Sequence, residues 1–157
     1  MISRIRNTLS LLTILVATSA AAQQSEADSF PHLAKMSHQT MTYNGKVVYE
    51  ADVDQNDPNP KAFVLRIQVD EYPSDCANTV KNVSVSKDEG EGKNTMIGCV
   101  VTELSADGKA KADVVYTIQD KKKNVNKSGH VKANLEVGKE YKTQSNGSQV
   151  TLLLQTY

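Results

Sequence analysis

The sequence predicts an all-β protein: an antiparallel two-sheet sandwich of Ig-like architecture, with seven to eight strands. Three observations carry this. From Lys46 onward apolar residues recur at every second position, the period of a half-buried strand. Beyond residue 22 no long stretch repeats at the helical period of 3.6. Turn residues interrupt the apolar stretches at short, regular intervals, as they do in sandwiches. One polar face per strand points to antiparallel pairing, because parallel strands read as continuous apolar runs.

The first element is a targeting segment. Arg4 and Arg6 make its positive start, Leu9 to Val16 is mostly apolar, and the small residues Ala20 and Ala22 precede Gln23. That three-part pattern is a secretory signal peptide over 1–22, cleaved at about residue 22. The apolar run is too short to span a bilayer, so the mature chain is expected to carry no transmembrane anchor. The Ala-rich cleavage region fits bacterial export, to the periplasm or the medium. Residues 23–45 read as an N-terminal arm, flexible or with one short helix started by Ser29 before Pro31.

Residues 46–157 are the β-sandwich domain, with strands expected to start near 46, 62, 80, 96, 112, 130 and 149. Val47, Tyr49, Ala51 and Val53 share one face of the first. After the Asp57-Pro58-Asn59-Pro60 turn, Phe63, Leu65, Ile67 and Val69 share one face of the second. Val83 and Val85 do so in the third. Thr95 to Glu103 is apolar on both faces, as a central strand would be. Val114, Tyr116 and Ile118 follow the Asp107-Gly108 turn. Val131, Ala133, Leu135 and Val137 alternate strictly with polar residues. Val150, Leu152 and Leu154 close the chain. A short extra strand at Lys139 to Thr143 is expected to pair with the last across Asn146-Gly147, a hairpin-type dipeptide. Lys87 to Asn94 reads as a mobile polar loop.

Export gives the two cysteines a role. Cys76 and Cys99 are expected to form a structural disulfide in an oxidising compartment. It would close a loop of about two dozen residues and contribute roughly 3–4 kcal/mol. With no Trp in the chain, this is not the Cys…Trp…Cys pattern of true immunoglobulin domains. The bridge is expected to staple the start of one strand onto its hairpin partner.

Charge and motifs exclude several functions. The 18 basic and 18 acidic side chains cancel, whereas nucleic-acid binders carry a basic excess. Ser84-Val85-Ser86-Lys87 matches Ser-x-x-Lys, but a strand points Ser84 and Lys87 to opposite faces, and the accompanying motifs are missing. Asp52-x-Asp54-x-Asn56 opens like a calcium loop, then has Asp57 where Gly belongs and Phe63 where Glu belongs. His32, His38 and His130 have no partner ligand at metal spacing. Val150-Thr151-Leu152-Leu153-Leu154 before Tyr157 is similar to the last strand of an outer-membrane barrel, but the apolar faces of the chain are too few and short for a lipid-facing band. No catalytic residue, metal ligand or cofactor is therefore expected.

The remaining features suit contact with another protein. Lys121-Lys122-Lys123 is a basic run between two strands, and Lys87, Asp88, Glu89 and Glu91 form a charged segment of mostly opposite sign. These are the expected interaction loops. The reading is an exported, non-catalytic protein-binding or accessory module, related to the envelope or to secretion, whose partner is another extracytoplasmic protein. The alternatives are an inhibitor of an extracytoplasmic hydrolase, presenting Lys87–Asn94 or Lys121–Ser128, and a small periplasmic enzyme or metal-binding protein.

Overall fold

A computed structural model describes residues 36–157. The signal segment, His32 and the arm up to residue 35 lie outside the described residues. Ten strands run in order: β1 (Met36–Tyr43), β2 (Lys46–Asp54), β3 (Ala62–Val69), β4 (Tyr72–Thr79), β5 (Ser84–Gly90), β6 (Lys93–Leu104), β7 (Lys109–Asp120), β8 (Val125–Glu136), β9 (Glu140–Ser145) and β10 (Ser148–Thr156). The class is all-β and every paired neighbour is antiparallel.

Two four-stranded sheets, β4-β3-β10-β9 and β5-β6-β7-β8, face each other over one core. The strand order differs from an immunoglobulin domain, whose sheets are joined by Greek-key crossings. Here each strand from β3 to β10 lies beside the next, and β10 returns to pair with β3. The result is a flattened up-and-down meander with two seams, where β4 lies against β5 and β8 against β9. Side chains close the seams. Ser74 Oγ donates to Ser86 Oγ at 2.8 Å across the first. Asn146 Nδ2 donates to Ser128 O at 2.9 Å across the second.

The core holds the alternating sets that the sequence marks on β3, β6, β7, β8 and β10, from Phe63 to Leu154. Strand β5 departs from expectation. Ser84 and Ser86 pair with the inward residues Cys99 and Ile97, so its serines face the interior at the seam. Val85 is 38% exposed on the outer side, and Val83 joins a second cluster.

That second cluster explains β6. Val100 and Val115, on the outer face of their sheet, are covered by Met41, Tyr43, Val48 and Tyr49 of the β1–β2 hairpin. The segment 36–45, expected as the end of a flexible or helical arm, is therefore strand and turn. Its signal is weak because Gln39 occupies one of its buried positions. Gln39 is held there by accepting from Val83 N at 2.6 Å and donating to Asn82 Oδ1 at 2.7 Å.

Strand β4 was not expected. Pro73, Asp75 and Asn78 lower its β-propensity, and an edge position is where Pro is tolerated. The expected loop over Lys87 to Asn94 is instead the end of β5, a two-residue turn and the start of β6. Glu91 and Gly92 both have positive φ, 49° and 83°, the mirror-image geometry whose twist matches paired strands. Asn146-Gly147 makes the same kind of turn between β9 and β10, as the sequence implies.

Candidate functional site

The turns β3–β4, β5–β6, β7–β8 and β9–β10 lie together at one end of the two sheets. Strand register puts them there: Val69, Asp120, Lys93 and Val150 close their ladders at that end. Of the expected interaction residues, Glu91, Lys121, Lys122 and Lys123 fall on these turns, and Lys87, Asp88 and Glu89 on the half of β5 that leads into one of them. They do not form simple opposed patches, because most of these charges are paired within the chain, one pair joining the basic run to the acidic segment. Lys122 Nζ lies 2.7 Å from Glu91 Oε2, and Lys123 Nζ 2.7 Å from Glu71 Oε2. Lys93 pairs with Asp88 at 2.9 Å and Lys87 with Glu89 at 2.6 Å.

Beneath this exposed layer is a more buried one that the sequence does not reveal. Asp70 accepts from Lys127 Nζ at 2.6 Å and from Gln149 N at 2.9 Å. The Lys127 ammonium holds the Asp70 carboxyl below its usual range, and Asp70 in turn raises Lys127. Tyr72 donates to Asp120 Oδ2 at 3.2 Å. Asp120 also accepts from Lys123 N at 3.1 Å, a bond that lowers its pKa. Burial and the Asp120 carboxylate push the Tyr72 hydroxyl up. The ammonium groups of Lys93 and Lys123 lie 5.6 and 5.8 Å from the centre of the Tyr72 ring, close enough for cation–π attraction. Tyr72 and Asp120 are far apart in the chain, and no spacing rule links them.

Other candidate groups are engaged structurally. Ser84 faces inward and Lys87 outward, as strand geometry requires. Asp54 Oδ1 accepts from Asn56 N and Asp57 Oδ1 from Asn59 N, so the acidic turn caps its own backbone. His38 sits between Asp52 at 2.8 Å and Glu50 at 2.9 Å, and these carboxylates raise its pKa, Asp52 foremost. His130 Nε2 is 2.8 Å from Asp113 Oδ1. Among the described residues no three potential metal ligands converge. Among the described residues there is no helix long and apolar enough to cross a membrane. The outward positions Arg66, Gln68, Asp75, Glu140 and Lys142 are polar and exposed, unlike the lipid-facing band of a membrane barrel.

Cys76 and Cys99 are buried free thiols that lie near each other inside the molecule, though not at disulfide distance. They do not staple a hairpin. Cys76 lies on β4 in one sheet and Cys99 on β6 in the other. Burial, and secondarily the Cys76 contact, push the Cys99 thiol well above its ordinary pKa.

Compared with protein families, curated proteins and solved structures, the chain finds no match.

Proposed function

We propose that this chain is an exported, non-catalytic binding or accessory module, and that the end built from the four charged turns is its working surface. The observation that supports this is the clustering of paired charges at one end of the two sheets. Lys87, Asp88 and Glu89 lie on β5 and Glu91, Lys121, Lys122 and Lys123 on the turns, and most of these charges have a named ion-pair partner. A patterned charged surface selects its partner by electrostatic complementarity. The partner is another extracytoplasmic protein with the inverse pattern. The inhibitor alternative gains less, since a two-residue and a four-residue turn offer no protruding segment for a hydrolase cleft.

Export also makes a disulfide of the neighbouring thiols. In an oxidising compartment Cys76 and Cys99 would join β4 to β6 and clamp the two sheets, contributing roughly 3–4 kcal/mol by restricting the unfolded chain.

Cross-linking capture from the native envelope and medium tests the surface. The wild-type chain is expected to retain one dominant protein that the Lys121→Glu, Lys122→Glu, Lys123→Glu variant loses. Equal capture by both rules the surface out.

A further inference from the structure

We infer that the Cys76–Cys99 bond is made only before the two sheets close, so that the folded protein keeps the redox form in which it folded. This rests on the disulfide reading above. The two sulfurs belong to facing sheets and lie near each other in the interior. Cys76 is 1% exposed and Cys99 0%. Cys76 lies on the edge strand β4, and Cys99 pairs on one side with the half-buried Ser84 of the edge strand β5, yet their other ladder partners, Leu65 and Val114, are fully buried and both thiols are covered.

Disulfide formation needs more room than that. A protein thiolate attacks an external disulfide, whose S–S bond breaks as a mixed disulfide forms and one donor thiol leaves. The second protein thiolate then attacks the protein sulfur of that mixed disulfide. The Cys76–Cys99 bond forms and the second donor thiol leaves. Two electrons pass to the donor, and the two thiol protons end on its sulfurs. The mixed-disulfide stage would place a donor group between packed side chains, in an interior with few voids larger than water. Burial also suppresses the thiolate at Cys99. Exchange therefore waits on separation of β4 from β6, an opening close to unfolding. The fitting oxidant is a disulfide-bearing oxidoreductase, or a small disulfide, that meets the chain as it emerges from translocation. The same shielding protects the finished bond from reductants.

The test uses the full chain made in a reducing compartment, so that both thiols start free. One sample stays native and one is held unfolded in denaturant. Both receive glutathione disulfide, and free thiols are counted over time by alkylation and mass. The native sample is expected to oxidise roughly a hundredfold more slowly or less, since it reacts only through a rarely populated open form. Similar rates in both samples overturn the lock but leave the disulfide standing. No Cys76–Cys99 bond in either sample overturns the disulfide reading and the inference with it.

Discussion

Gly129 and Tyr116 lie directly opposite each other on β8 and β7. A Cβ on Gly129 would stand 2.4 Å from the Tyr116 ring. The bare backbone lets that ring cross β8, and its hydroxyl donates to Ser145 O on β9 at 2.7 Å. Gly129→Ala is therefore expected to cost about 1–3 kcal/mol, as overpacking does. Tyr116→Phe should cost about 1 kcal/mol, the loss of one hydrogen bond. Denaturant melts of both check this, and an unchanged midpoint for Gly129→Ala contradicts the contact. Asp70 contributes to acid stability at the end of the sheets where the four turns meet. Its folded pKa lies below the ordinary 3.8, so its contribution is present above that value and is lost as pH falls through the lower one. Asp70→Asn keeps a residue suited to the local φ of 51° but removes the charge. Its Tm should fall below wild type at neutral pH and approach it as the pH falls through the lowered Asp70 pKa. A constant gap across that range would contradict the pairing with Lys127.

At the scale of elements, the β1–β2 hairpin has its own sheet and its own small core. Gln39→Ala removes the acceptor for the Val83 N–H and is expected to cost about 1–3 kcal/mol. Hydrogen exchange should quicken in β1 and β2 while β6 and β7 stay protected. Uniform quickening would mean that hairpin and sandwich unfold as one unit. The same elements show what sequence reasoning reads well. Phe63 to Val69, Val131 to Leu135 and Val150 to Leu154 alternate so regularly that both strand and inward face are legible. Residues Val83 to Ser86 also alternate, but their valines serve the outer cluster and their serines the seam, a choice made by tertiary contacts. Strands β1 and β4 escape notice because Gln39 and Pro73 occupy positions that only pairing partners make acceptable. The charged turns were legible as charges, and their mutual pairing was not, since it depends on which hairpin ends meet.

For the whole molecule, the all-β antiparallel class was legible from periodicity and turn spacing. The meander order was not, because alternation reports faces and is silent on neighbours. The cysteines follow the same division: the sequence marks them as a pair, yet only the order of strands reveals that they sit in two facing sheets, near each other as free thiols. If the proposed clamp forms, the oxidised protein should resist denaturant by roughly 3–4 kcal/mol more than the reduced form, as paired unfolding curves would show. Export is the claim on which the binding reading and the disulfide both depend. Its most direct test is the intact mass of the protein recovered from cells that make the full chain. The account predicts a chain beginning at Gln23, two hydrogens lighter than its dithiol and unreactive to alkylation. A chain still beginning at Met1, with two thiols that alkylate on unfolding, would contradict it.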